Sequence, residues 1–206
     1  MIITYYGVTC FKIQSGDVVL AIDPYSKEAG LTPPRFETDI VLSTRNNPMS
    51  NNTSALAGNP FTVTSPGEYE TKAIGVEGVA AGDHTIYIIE WEGMRLCHVG
   101  ALNEKELPDE TRERIGTPDI LFVPVGGGSA IDAEEAVHLI NAIEPRIVVP
   151  MHYAFPGFSA LPLGAVDAFL KEIGSSPAPE ERLTLKKKDV PQEEMKVVVL
   201  KPVTGS

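Results

Sequence analysis

The sequence predicts an α/β protein, strand-rich in its first half and alternating helix with strand in its second. Three observations carry this. The first ninety-nine residues hold short apolar runs closed by turn residues, with no helical period. From Leu102 onward, apolar residues recur at helical spacing. Residues 119–153 read as strand, glycine loop, helix and strand, ending on His152. An imidazole at the C-terminal edge of a strand is how α/β enzymes present a site.

The elements follow in order. Residues 11–13 and Val18–Ile22 flank Ser15-Gly16-Asp17, a hairpin signal, and Asp23-Pro24 stops the second strand. Ile40–Leu42 and Phe61–Val63 are short apolar runs suited to buried strands. The polar segment 43–59 between them has room for a short helix around 53–57. Residues 86–91 and 94–97 flank Glu92-Gly93, where glycine supplies the positive φ of a tight turn. Asp132 with Glu135 three places on forms a capping box, after which Ala136, Leu139, Ile140 and Ile143 share one helical face. The pattern returns at Val166, Phe169, Leu170 and Ile173, with Gly174 placed for a left-handed cap. Residues 183–185 and 195–200 read as closing strands, and 175–181 as a loop containing proline.

Composition sets the outer bounds. With 206 residues and 43% hydrophobic content, the chain can bury a full core, and residues 1–206 are expected to form one domain. No apolar run approaches the roughly 18 residues of a membrane span, and Ile2-Ile3-Thr4-Tyr5-Tyr6 follows the start without a basic signal segment. A cytoplasmic protein is expected. Cys10 and Cys97 sit in apolar runs and read as buried free thiols. Seventeen basic against twenty-eight acidic residues give a formal charge of −11, which opposes binding to a phosphate backbone. The Lys186-Lys187-Lys188 run reads as a solvated loop or strand end.

Several segments together resemble the metallo-β-lactamase superfamily, specifically its short-chain Zn-dependent hydrolase-like branch. They are Ile3-Thr4-Tyr5-Tyr6-Gly7 with Cys10-Phe11, Ile22-Asp23-Pro24-Tyr25, Ser65-Pro66-Gly67-Glu68-Tyr69-Glu70, Thr85-Ile86-Tyr87-Ile88-Ile89-Glu90, Cys97-His98-Val99-Gly100, and Pro124 through Tyr153. They occur in family order. The resemblance implies an αββα sandwich of two mixed sheets with helices outside, and a site in the cleft at one edge.

It also implies a His-x-His-x-Asp-His loop after the strand at Ile40–Leu42, able to hold divalent cations that lower the pKa of bound water to about 7. Here Arg45 and Asn47 stand at the first two His positions, Met49 at the Asp and Ser50 at the last His. The further histidine that relatives carry before residues 85–90 falls in a loop shortened to Ala80-Ala81-Gly82-Asp83, and the bridging Asp after His98 is Ala101. Only His152 remains at a family ligand position. Arg45 would also oppose a cation, at about 4 kcal/mol per unit-charge pair at ~4 Å and an effective dielectric near ~20.

The site expected from these residues is therefore vestigial: Arg45, Asn47, His152, Asp23 and Glu68, with no catalytic residue and no metal ligand set. Asp23 either pairs with Arg45 or caps a turn, and Glu68 either lines the site or holds local structure. His98 reads as a packed strand-end residue, His84 as preceding a strand, and His138 as a surface residue. The Gly126-Gly127-Gly128 loop reads as a tight strand-to-helix turn; it lacks the Lys-Ser/Thr pair of a nucleotide loop.

Two functions follow. The first is a non-hydrolytic binding or interaction module with no cofactor, a pocket for a small anionic ligand or a protein partner, and room for a homo-oligomer. The second is a metal-dependent hydrolase with an altered or reduced site that takes zinc. Metal-independent chemistry through Ser50, Cys97 or Tyr153 is a third, without a readable Ser-His-Asp or Cys-His arrangement.

Overall fold

The computed structural model describes residues 1–203. Its strands are β1 (Ile2–Gly7), β2 (Cys10–Ser15), β3 (Val18–Ile22), β4 (Ile40–Leu42), β5 (Phe61–Val63), β6 (Gly67–Thr71), β7 (Ile74–Ala81), β8 (His84–Trp91), β9 (Met94–His98), β10 (Ile120–Pro124), β11 (Ile147–Met151), β12 (Leu183–Thr184) and β13 (Lys196–Val197). The helices are α1 (Asp109–Ile115), α2 (Ala133–Ile143) and α3 (Val166–Glu172). One sheet has six strands in the order β12-β1-β2-β3-β4-β5, the other seven in the order β13-β11-β10-β9-β8-β7-β6.

In the six-stranded sheet the antiparallel meander β1-β2-β3 gives way to parallel β3-β4-β5 pairing. In the seven-stranded sheet β9, β10, β11 and β13 are parallel, and β6 to β9 form an antiparallel meander. The two sheets meet through aromatic side chains: Phe11 of β2 lies 4.6 Å from Phe122 of β10, ring centre to ring centre. β10 and β11 are buried along their whole length, as parallel strands covered on both faces must be. The apolar stripe of α2 (Ala136, Leu139, Ile140, Ile143) is buried, so the helical period does find a core face. This is the α/β sandwich expected.

The local signals hold where they have a physical basis. Asp132 and Glu135 form the capping box reciprocally, at 3.0 Å in each direction. Gly174 takes the left-handed cap conformation, and Glu92-Gly93 turns with positive φ at both residues. Three expectations are corrected. The helix expected around 53–57 is a single 3-10 turn, Thr53–Ala55, without a side-chain cap. The closing strand expected at 195–200 pairs only at Lys196–Val197, because beyond it Val199 turns to hold the N–H of Glu180. The strand expected at 183–185 ends at Thr184. The β6–β7 hairpin and α1 carry no clear sequence signal and appear only in the structure. No helix among the described residues is long and apolar enough to cross a membrane.

Candidate functional site

The C-terminal ends of β3, β4, β9 and β11 converge on one edge of the sandwich, and the side chains gathered there are largely buried. Asp23 follows β3, Thr44 and Arg45 follow β4, His98 ends β9, and His152 follows β11. The β1–β2 tip at Val8 and Thr9 closes the edge from one side: the His152 N–H donates to the Val8 carbonyl at 2.7 Å. His84, the first residue of β8, enters from the other, since β8 runs antiparallel to β9 and starts beyond its end.

Backbone strain concentrates here. Seven non-glycine residues among those described have positive φ. Four of them, Lys72, Ala73, Glu92 and Glu144, are accounted for by hairpin turns and a helix C-cap. The other three are Val8 (57°), Asp23 (49°) and His152 (53°), all at this edge. For a β-branched valine this backbone is a true outlier, and each such residue costs on the order of 1–3 kcal/mol unless its surroundings impose it. Gly126 shows one such imposition. A side chain there would run into the carbonyl of His152 and come within 2.8 Å of the Tyr153 α-carbon. The glycine loop therefore lets the end of β11 pass close by.

Asp23 is fully buried, and both its oxygens are engaged. Thr44 N–H donates to Oδ1 at 2.7 Å and the Thr44 hydroxyl to Oδ2 at 2.8 Å. Burial nevertheless pushes its carboxyl up to about 7, against the pull of the Thr44 and Thr9 hydrogen bonds. Of the two roles left open for Asp23, pairing with Arg45 is not made; its hydrogen bonds instead tie the end of β3 to Thr44 after β4. The Arg45 guanidinium instead donates from Nη2 to Asp83 Oδ1 at 2.8 Å. The arginine side chain is 15% exposed and Asp83 72%, so the ion pair sits at the rim of the edge, where it meets solvent.

His98 is spoken for on both sides, as a packed strand-end residue. Its Nε2 meets the Thr9 carbonyl at 2.9 Å, and Nδ1 accepts the Gly100 N–H at 3.2 Å. Burial lowers its pKa to about 4. His152 is lowered to about 4 as well, first by burial and then by the Arg45 charge. His84 moves the same way for the same two reasons. Asp83 Oδ1 is 3.7 Å from His84 Nδ1, beyond hydrogen-bond reach, and the lowered pKa favours the neutral ring.

Among the sequence candidates, Arg45, Asp23 and His152 are brought together. Asn47 lies on the same loop, but its Oδ1 accepts from Met49 N–H at 2.9 Å and serves the turn. Glu68 is exposed on the outer edge strand β6, with no ion pair to this cluster among the described residues. His138 is exposed on α2, as expected. His84, read from the sequence as preceding a strand, also joins the edge, and Asp83 and Glu104 are additions the sequence did not single out. Glu104 presses its carboxylate against Gly82 in the shortened loop.

The metal implied by the family resemblance can be tested against these donors. A catalytic zinc needs about three protein ligands. Both nitrogens of His98 and both oxygens of Asp23 are engaged within the protein. His84 and His152 keep unpaired nitrogens, but a guanidinium stands close enough to disfavour positive charge on both. Among the described residues no group of three His, Cys, Asp or Glu side chains is arranged to hold a metal ion. The residues present do not fit one. Arg45→Met is expected to raise the pKa of His152 and His84 toward the ordinary value, though not fully, because burial is the larger cause. A titration of their ring resonances by NMR checks this; an unmoved His152 midpoint would place the guanidinium outside the site.

Nucleophiles are equally unprepared. Cys10 and Cys97 are free and buried, and burial pushes the Cys97 thiol up to about 12. Tyr153 donates its hydroxyl to the Leu200 carbonyl at 2.9 Å.

The chain is similar to known proteins in sequence and in fold. The family model described as a beta-lactamase superfamily domain matches residues 2–152. A UPF0173 protein of Pyrococcus abyssi, a name without an activity, is 27% identical across 84% of this chain and 90% of its own. A UPF0173 metal-dependent hydrolase of Thermoplasma acidophilum is 26% identical across 73% of this chain and 82% of its own. Among solved structures, a Thermotoga maritima protein described as a Zn-dependent hydrolase of the metallo-beta-lactamase superfamily superposes with a TM-score of 0.83 at 28% identity, covering 98% of this chain and all of that one. A metallo hydrolase of Ignicoccus hospitalis shares the fold with a TM-score of 0.66.

Proposed function

This chain belongs to the beta-lactamase superfamily, and from that premise we propose that it uses the superfamily's scaffold as a metal-free ligand-binding module. The observation that carries the reading is Arg45: its guanidinium, 15% exposed and paired with Asp83, stands on the loop where the family resemblance places metal-binding histidines. The positive φ of His152, whose carbonyl packs against Gly126, supports a site kept for use. The buried free thiols support a reducing compartment such as the cytoplasm, and the charge of −11 supports a partner other than nucleic acid.

A second reading has its own support. Relatives named metal-dependent hydrolases favour a hydrolase with an altered site, and His84 and His152 are the side chains it would use. Assaying phosphodiester, lactone and thioester substrates with and without added Zn²⁺ or Mn²⁺ separates the two. The metal-free reading expects no metal-stimulated turnover. Turnover that needs the ion and disappears in His152→Ala would establish the hydrolase.

A further inference from the structure

Five buried polar atoms lack a hydrogen-bond partner among the described residues, and all belong to this edge: Arg45 Nε, His84 Nδ1 and Nε2, Glu104 Oε2 and His152 Nδ1. Such groups are rare, because each forfeits its hydration without replacement. Four side chains sharing the defect in one cluster point to a ligand. His84 is the sharpest case, at 4% exposure with both ring nitrogens unpaired.

The inventory of these atoms limits what the ligand can be. Arg45 Nη2 gives one of its two N–H groups to Asp83, and the buried Nε–H has no partner among the described residues. The cluster contains one guanidinium against the two carboxylates of Asp83 and Glu104. A bare anion would therefore accept from Arg45 while facing an unpaired carboxylate oxygen. A bare cation would satisfy Glu104 but leave the Arg45 and imidazole N–H groups unmatched. A neutral group that carries an acceptor and donors on adjacent atoms satisfies both sides.

We propose that this cluster recognises a neutral carboxamide or ureido group. The carbonyl oxygen accepts from Arg45 Nε–H, and the amide N–H groups donate to Glu104 Oε2 and to the unprotonated ring nitrogen of His84. This deepens the metal-free binding reading and rests on it. It replaces the small anion that the Arg45 loop alone suggests, because Asp83 and Glu104 enter the site from parts of the chain remote from that loop.

The test follows the His84 and His152 ring resonances of the full-length protein during titration with acetamide and methylurea, against acetate and inorganic phosphate. Acetamide and methylurea are expected to shift the His84 ring saturably, while acetate and phosphate leave it in place. Glu104→Gln, which replaces a charged acceptor, is expected to weaken acetamide binding about tenfold or more. A preference for acetate or phosphate overturns the proposal in favour of an anion site. Absence of any shift with all four probes overturns it outright, and the wild-type comparison alone gives that result if the variant does not fold. Zn²⁺ shifting both rings at one equivalent would instead defeat the metal-free reading underneath.

Discussion

Asp23→Asn is expected to stabilise the protein at pH 8 and to leave it unchanged near pH 3. Burial raises the Asp23 carboxyl from 3.8 to about 7. A folded-state value above the unfolded one means that this group's favourable contribution is complete below pH 3.8 and is lost as pH rises through about 7. Roughly three units at about 1.4 kcal/mol each give about 4 kcal/mol lost by pH 8. Asparagine does not ionise, keeps the shape and tolerates the left-handed backbone of this position. The loss of charge-assisted bonds from Thr44 and Thr9 is already counted in the shifted value. His98 and His152 work in the opposite sense: lowered to about 4, they contribute stability above 6.5 that disappears as pH falls. Comparing variant with wild type at the same pH cancels them. Urea denaturation at the two pH values is the measurement, and a variant less stable than wild type at pH 8 would contradict the account.

Gly126→Ala is expected to cost about 3 kcal/mol or more and to displace His152. The new methyl meets main-chain atoms, the His152 carbonyl and the Tyr153 α-carbon, and backbone cannot yield as a side-chain tip can. Gly127→Ala is the control. Its φ of 69° strains any side chain, but the nearest atom would be 3.5 Å away, so about 1 kcal/mol is expected. Thermal or urea denaturation of the pair gives the difference; equal losses would show that φ, and not the close approach of β11, makes Gly126 necessary.

How much of this was legible depended on whether a signal was local. The β2–β3 and β8–β9 hairpins were, because Ser15-Gly16-Asp17 and Glu92-Gly93 carry turn residues between apolar runs. α2 was, because its capping box and apolar stripe lie within one segment. The β6–β7 hairpin was not: its turn residues are Lys72 and Ala73, both at positive φ with no glycine or asparagine to announce it. α1 was missed because only Thr111 and Ile115 of its seven residues are buried, too few to show a period. For the site, family order located Asp23, Arg45 and His152. It did not reveal that Arg45 pairs across thirty-eight positions with Asp83, or that His84 and Glu104 arrive beside it, since these depend on strand register and not on spacing. Glu68 failed for the converse reason: its motif is intact, but β6 is an edge strand that leaves it in solvent.

In the proposed reading a guanidinium, that of Arg45, holds the place where relatives named metal-dependent hydrolases would be expected to hold an ion. Elemental analysis of full-length protein, purified without chelators and without a nickel column, tests this most directly. Far less than one equivalent of zinc, iron or manganese per chain is predicted, with no gain after dialysis against added metal. One tightly held equivalent per chain, lost together with His152, would contradict it.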